Sequence, residues 1–275
     1  MIFKYVLFLI LCCLLVLENG CTKKEKRETE KPKVKSIMEF KHKISFGQAE
    51  KEGKKQSYTT FFYNADGKLI EKLNYKDDGS LDEKTVFLYN LKGELIKELE
   101  FSRYDDFKDS VVTSYIYNDS GKVIEYKRVY DTKIGSIRKY NYDSKGLLVE
   151  AMLLELNGEV KRRNTFKYDA KGNEIEESQF EGGSNGKWIS KYSDDNKKIE
   201  SEWYKEDGSL NSKYVFTYDG NGLLIESVGK AYPGERPYTK QVYRYDNSDR
   251  LVEREEFSYS EIGEPSEMRK YIYEY

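Results

Sequence analysis

A phrase of about 26 residues recurs along most of this chain, and that recurrence limits the fold more than any other feature. Eight copies start at Tyr63, Tyr89, Tyr117, Tyr142, Tyr168, Tyr192, Tyr218 and Tyr245, at intervals of 24 to 28 residues. Residues 142–168 show the full unit. It has a turn signal at Asp143 to Gly146 and a second at Asn157-Gly158, with runs of strand length between them. The unit is a pair of strands, repeated.

Each position of the unit has a physical reading. Two residues before the lead tyrosine stand Phe61, Phe87, Tyr115, Tyr140, Phe166, Ser190, Phe216 and Tyr243, which share its face in a strand, so aromatics stack along one side of the sheet. The residue after the tyrosine is Asn or Asp in seven copies, with Ser193 the exception, and these open a type I turn by bonding their own backbone. Three residues on come Gly67, Gly93, Gly121, Gly146, Gly172, Asn196, Gly222 and Asp249, the types that accept a left-handed backbone. Seven residues past the tyrosine every copy has Ile or Val, from Ile70 to Val252, followed by Glu in seven copies and by Lys97 in the other. A four-residue loop puts that aliphatic row with the aromatics, and a three-residue loop with a bulge puts it opposite them.

These residues resemble the YD, or Rhs, repeat family, whose hallmark is an aromatic-x-Tyr-Asp-x-x-Gly-x-Leu phrase. The likeness covers residues 61–275 and is strongest at Tyr140-Asn-Tyr-Asp-Ser-Lys-Gly-Leu-Leu148 and Phe216-Thr-Tyr-Asp-Gly-Asn-Gly-Leu-Leu224. Members of that family build spiral β-structures, some of them shells around a toxin or carbohydrate-facing surfaces, so the resemblance implies stacked β-hairpins. Eight units are present, with an incomplete ninth at Tyr271-Ile-Tyr-Glu-Tyr275.

The expected fold is all-β: an elongated, twisted or coiled antiparallel meander of about eight two-stranded repeats over residues 37–275. At about two strands per unit and ~4.8 Å between strands, an open sheet of that size must twist or curl. One further strand, at Phe40 to Phe46, is expected to cap the N-terminal end of the array. The 25 tyrosines, set among alternating Lys and Glu, suit a sheet with one thin apolar side and one wet side.

Residues 1–20 carry Lys4, an apolar run of 13 residues from Tyr5 to Leu17, and then Glu-Asn-Gly before Cys21. The run has signal-peptide length and falls short of the about 20 residues a membrane-spanning helix needs. Gly20-Cys21 followed by Thr-Lys-Lys-Glu resembles a bacterial lipoprotein signal, which implies that Cys21 is lipidated as the first mature residue and ties the chain to a membrane of the cell envelope, the outer membrane or cell surface. An ordinary cleaved signal and a short uncleaved anchor are the other readings. Residues 21–36 then read as a charged tether with too little apolar content to fold alone.

The three cysteines are Cys12, Cys13 and Cys21, which leaves no disulfide or thiolate metal site in the mature chain. The sole histidine, His42, reads as a half-exposed strand residue, and Asp-rich turns such as Asp77-Asp78-Gly79 lack calcium-loop spacing, so neither a metal nor a cofactor is expected. Lys and Arg number 47 against 49 Asp and Glu, which gives no basic excess for nucleic acid.

The expectation is a non-enzymatic envelope lipoprotein with a repetitive β-surface for structural or binding roles, meeting the membrane through its anchor and a glycan or envelope protein through its sheet. A carbohydrate or peptidoglycan-binding module is one alternative and a carboxylate-based enzyme another, although no carboxylate pair stands apart from the repeat. Tyr115, Tyr117, Tyr140, Tyr142, Tyr243 and Tyr245 are the candidate ligand surface, as rings that stack on sugar faces. The competing reading makes the same rings the sheet's own core, packed on Leu148, Leu224 and Leu251.

Overall fold

The computed structural model describes residues 33–275 except 43, 46–47, 50–51, 104–109, 131–132, 183–184 and 261–262. The signal segment, Cys21 and the tether as far as residue 32 lie outside the described residues, as does Phe46. The strands are β1 (Ser36–His42), β2 (Ile44–Ser45), β3 (Gln48–Ala49), β4 (Lys54–Tyr63), β5 (Leu69–Lys76), β6 (Leu81–Tyr89), β7 (Leu95–Ser102), β8 (Ser110–Tyr117), β9 (Val123–Tyr130) and β10 (Lys133–Tyr142). They continue as β11 (Leu148–Leu154), β12 (Val160–Tyr168), β13 (Glu174–Phe180), β14 (Gly186–Tyr192), β15 (Lys198–Lys205), β16 (Leu210–Tyr218), β17 (Leu224–Ala231), β18 (Arg236–Tyr245), β19 (Leu251–Tyr259) and β20 (Pro265–Glu274).

From β4 to β20 each strand pairs antiparallel with the next, as hairpin chemistry every dozen residues dictates. The first turn of each unit is one repeated device. In the first unit the Asn64 amide donates to the Lys68 carbonyl and the Gly67 amide to the Asn64 carbonyl, both at 2.9 Å. The Asn64 side-chain oxygen accepts from the Lys68 amide, also at 2.9 Å. The residue four past the tyrosine has positive φ even where it is not glycine, +63° at Asn196 and +59° at Asp249 against +80° at Gly146.

One rung beyond each turn the register slips. Tyr63 pairs with Leu69 but Phe62 pairs with Glu71, so Ile70 is an inserted residue. The same slip inserts Val149, Ile175 and the equivalent residues of the other units. The aliphatic row is thus a series of eight β-bulges. It lies on the face opposite the tyrosines, where Ile70, Ile175 and Ile199 are 38%, 36% and 38% exposed.

The array does not stay open. β1 pairs with β20 from Ser36↔Glu274 to His42↔Met268, and on its other edge with β4 from Ser36↔Thr60 to Lys41↔Lys54. The expected open, coiled meander is therefore a closed 18-stranded barrel, and the expected cap strand is its closing stave. Closure satisfies both edges that an open meander would leave unpaired. Hydrogen bonding to the barrel begins inside the stretch whose composition reads as tether: the Lys35 amide donates to the Glu274 carbonyl at 2.7 Å. His42, expected half-exposed, is 7% exposed and lies over Gly53, where a Cβ would come within 2.4 Å of the imidazole.

Strands contact their ladder neighbours, with small β2 against β20 the exception among appreciable contacts, so the wall is one layer thick. Met268 is the one apolar side chain under a tenth exposed among the described residues. Eighteen strands at ~4.8 Å make a wall about 85 Å around before tilt, wide enough for a water-filled lumen. Side chains crowd on the concave side of such a wall and splay on the convex side. Thr113, Ser190, Ser201, Ser212, Ser227 and Arg254, all under a tenth exposed, lie on the tyrosine face. Phe62, Leu88, Ile116, Val160, Phe180 and Val215, all over a third exposed, lie on the other. The tyrosine face lines the lumen.

Candidate binding face in the barrel lumen

The glutamate row that follows the aliphatic row defines the outer face. Every one of its seven members is ion-paired with a neighbouring strand: Glu71 with Lys84, Glu125 with Lys139, Glu150 with Arg163, Glu176 with Lys167, Glu200 with Lys191 and Lys213, Glu226 with Lys240, and Glu253 with Arg244 and Lys270. Such exposed pairs contribute little stability each, ~0 to 1 kcal/mol. Their consequence is electrostatic. A lipid-facing Lys or Arg costs ~2 to 4 kcal/mol at the bilayer midplane, and on this outer face the ion pairs share the surface with the exposed aliphatic row.

Inside, the lead tyrosines have one geometry. Each hydroxyl donates to a backbone carbonyl of the preceding unit: Tyr89 to Leu69, Tyr117 to Leu95, Tyr142 to Val123, Tyr168 to Leu148, Tyr192 to Glu174, Tyr218 to Lys198 and Tyr245 to Leu224, at 2.7 to 2.9 Å. Tyr63 to Val34 at 3.1 Å and Tyr275 to Leu251 at 2.9 Å complete nine. A phenol in this seat latches one hairpin to the next. Where the previous unit offers a cation five residues past its tyrosine, it covers the ring: Lys68 stands 5.3 Å from the Tyr89 centroid, Lys122 5.4 Å from Tyr142 and Lys197 5.6 Å from Tyr218.

The six candidate tyrosines accordingly divide. Tyr117, Tyr142 and Tyr245 are latches, and burial pushes Tyr245 up to about 12. The other three reach into the lumen. Tyr115 donates to Glu98 at 3.0 Å and stacks on Tyr126 with centroids 6.1 Å apart. Tyr140, pushed up to about 12 chiefly by burial, lies beside Arg138, and Tyr243 donates to Gln241. Tyr140 and Tyr142 also line an open hollow of 610 Å³ with Lys122 and Asp143. The pairs on β8 and β10 are two strands apart, whereas the pair on β18 is eight strands further round, so the structure brings the first two pairs together and not the third.

The densest set of rings is elsewhere. Trp188 on β14 sits across the ladder from Trp203 on β15, with centroids 5.3 Å apart. Tyr214 on β16 is 5.9 Å from Trp188, and Tyr238 on β18 meets Tyr214 edge-on at 5.7 Å. Two glycines let these rings lie along the sheet. A Cβ at Gly186 would come within 2.5 Å of the Trp203 ring, and one at Gly229 within 2.9 Å of Tyr214 and 3.0 Å of Tyr238. Small side chains surround them, with the buried Ser190 and Ser201 hydroxyls 3.4 Å apart. This set is not among the candidate residues of the repeat pattern. The signal was available, because Trp188 stands an even four residues before Tyr192 and so shares its face, in the one unit where the usual aromatic has become Ser190.

Carboxyl groups differ with their local partners, and inner Glu267 is held below the usual range, first by its hydrogen bond with Lys41. Inside, desolvation pushes Glu98 and Glu174 above the usual carboxylate range, while outside, hydrogen bonds from Lys167 and Lys191 hold Glu176 and Glu200 below it.

No protein-family model matches the chain, and no curated protein matches it. Among solved structures, it is similar to a porin-like protein from Bacteroides uniformis, over 88% of this chain and 97% of that one, at 13% identity and a TM-score of 0.51. A porin-like protein from Bacteroides vulgatus aligns over 88% of this chain and 98% of its own at 12% identity, with a TM-score of 0.40. TcdB2-TccC3 aligns over 80% of this chain at 14% identity, with a TM-score of 0.41, and the chain spans 14% of its length. At these identities the likeness to the Bacteroides uniformis protein is one of fold alone.

Proposed function

We propose that this chain is a non-enzymatic bacterial cell-envelope lipoprotein, anchored through Cys21, whose barrel stands in water and binds an extended ligand along its lumen. The observation that carries the reading is the ring set of Trp188, Trp203, Tyr214 and Tyr238, bedded on Gly186 and Gly229. None of these rings is among the nine carbonyl latches, and an enclosed face that keeps large rings beyond its latches has contact area to offer a ligand. The envelope address rests on the signal-like segment before Cys21 and agrees with a porin-like fold. The charged outer belt accords with a barrel held beside a membrane by a lipid. Absence of catalysis rests on repetition, since carboxylates recur on the strands with none set apart.

Two measurements test this. Cys21→Ser should move the protein from the membrane to the soluble fraction and abolish acyl incorporation, and residues 1–20 found intact on the mature protein would overturn the anchor. The protein immobilised on glycan and envelope-protein arrays should retain a ligand that Trp203→Ala releases. Retention of nothing by the folded wild type would remove the binding role.

A further inference from the structure

Resting on that binding reading, we infer that the lumenal sector from β14 to β18 is a site for a neutral polysaccharide chain. The sector differs from the rest of the lumen in charge. Elsewhere the inner face alternates carboxylates and guanidinium groups, with Glu98 and Glu100 on β7, Arg128 on β9, Arg162 on β12 and Arg254 on β19. From β14 to β18 the mid-strand inner positions carry no charge; Lys198, Lys205 and Arg236 stand at the rims, where their strands start or end, and the carboxylate of Glu177 on β13 borders the sector across the ladder from Trp188. Four buried serines, Ser190, Ser201, Ser212 and Ser227, alternate there with the rings.

This pairing of side chains matches one ligand chemistry. A pyranose has two faces of C–H bonds that lie on a flat ring and an equator of hydroxyls that needs small polar partners. Trp188, Trp203, Tyr214 and Tyr238 form one contiguous cluster of tilted and edge-on rings with centroid separations of 5.3, 5.9 and 5.7 Å, so a sugar chain crossing the sector meets aromatic surface. Aromatic rings lose little side-chain entropy in making such contacts. Gln179 and Gln241, which face inward at the two edges of the sector, supply amide groups. A polyanionic chain would surrender hydration here with no cation on the mid-strand face to replace it, so the sector discriminates against acidic glycans.

The chain contains two tryptophans, and both are in this site, so its intrinsic fluorescence reports on the sector directly. The full chain would be titrated with neutral hexasaccharides of β1,4-linked glucose, xylose and mannose, and with a hexagalacturonate. At least one neutral hexasaccharide should give a saturable change in tryptophan emission, and Trp203→Ala and Trp203→Phe should weaken binding by roughly tenfold or more and by less, respectively. Hexagalacturonate should leave the emission unchanged. Saturable binding of hexagalacturonate, or of an array ligand of another class, with no response to any neutral hexasaccharide would overturn the neutral-glycan site and leave the broader binding role standing. No response to any probe and no retention on the arrays would remove both. The wild-type titration requires no variant to fold.

Discussion

The Tyr63 hydroxyl reaches the Val34 carbonyl at 3.1 Å, and this latch differs from its eight counterparts in tying the segment that leads into the closing strand β1 to β4. Val34 immediately precedes the closing strand region and occupies the place that Leu69 takes toward Tyr89. A hydroxyl bonded to a carbonyl contributes about 0.5 to 1.5 kcal/mol net. Tyr63→Phe and Tyr142→Phe should therefore lower stability by about that amount each in urea melts. Amide exchange separates them: Tyr63→Phe should speed exchange in β1 selectively, while Tyr142→Phe should leave β1 protected. Equal acceleration of β1 in both would mean that β1 has no local latch to β4.

Glu98 on the inner face and Glu200 on the outer face should titrate in opposite senses. Burial raises Glu98, so between the ordinary carboxylate pKa and its native one the folded state binds more protons than the unfolded state, and this group's contribution to stability falls as pH rises through that window. Glu200 is lowered, first by its hydrogen bond from Lys191, so its contribution is present above the ordinary carboxylate pKa and is lost as pH falls through the native one. Glu98→Gln should raise the melting temperature at pH 7 by more than at pH 4. Glu200→Gln should lower it slightly at pH 7 and not at acid pH. Melting curves from pH 3.5 to 8 check both signs, and parallel shifts would contradict the opposite settings of Glu98 and Glu200.

The turns give a cleaner contrast. Gly146 has φ +80° and Asn196 φ +63° at the same place in the repeat. Gly146→Val should cost ~1 to 3 kcal/mol, whereas Asn196→Gly should be neutral or slightly stabilising. A Cβ at Gly146 would also press on Lys122 Cε at 2.8 Å, but that is a flexible side chain and adds little. Equal losses in urea would remove the left-handed turn as the cause.

Local features of this fold are legible in the sequence because each is fixed within a few residues. The strand period, the shared aromatic face and the turn chemistry each follow from residues no more than about eight apart. Closure is different, since the rung Ser36↔Glu274 joins residues at opposite ends of the barrel sequence and no local pattern records it. The face of the Ile row was undecidable for a related reason: it depends on a one-residue slip between Phe62 and Tyr63 that leaves composition unchanged. The glutamate row beside it was visible, but its lysine and arginine partners lie on neighbouring strands at varied spacings. At the candidate site the repeat itself misled. The tyrosines that recur, such as Tyr117 and Tyr142, are the latches, whereas Trp188 and Trp203 each stand outside the repeated pattern.

The ring also implies where the chain can be cut and rejoined. Tyr275 is the ninth latch, and Lys33 stands 5.4 Å from the Tyr63 centroid as Lys68 stands 5.3 Å from Tyr89. Lys33 thus takes the position five residues past a lead tyrosine, and the four turn residues corresponding to Asn64–Gly67 would fill the interval between Tyr275 and Lys33. The ends are already close, with Ser36 Oγ donating to Glu274 Oε2 at 2.6 Å. Joining Tyr275 to Lys33 through Asp-Ser-Lys-Gly and opening the chain at the exposed Asn157-Gly158 turn should give a circular permutant that folds, because a short native-type turn adds little closure entropy and the cut breaks no strand. Its far-UV circular dichroism should match the parent, and its melting temperature should fall within several degrees. Opening the same joined chain between Asn164 and Thr165, in the middle of β12, should abolish the cooperative transition. If the Asn157-Gly158 permutant fails to fold while a linear chain of residues 33–275 folds, the gap between Tyr275 and Lys33 is not the place of a ninth turn.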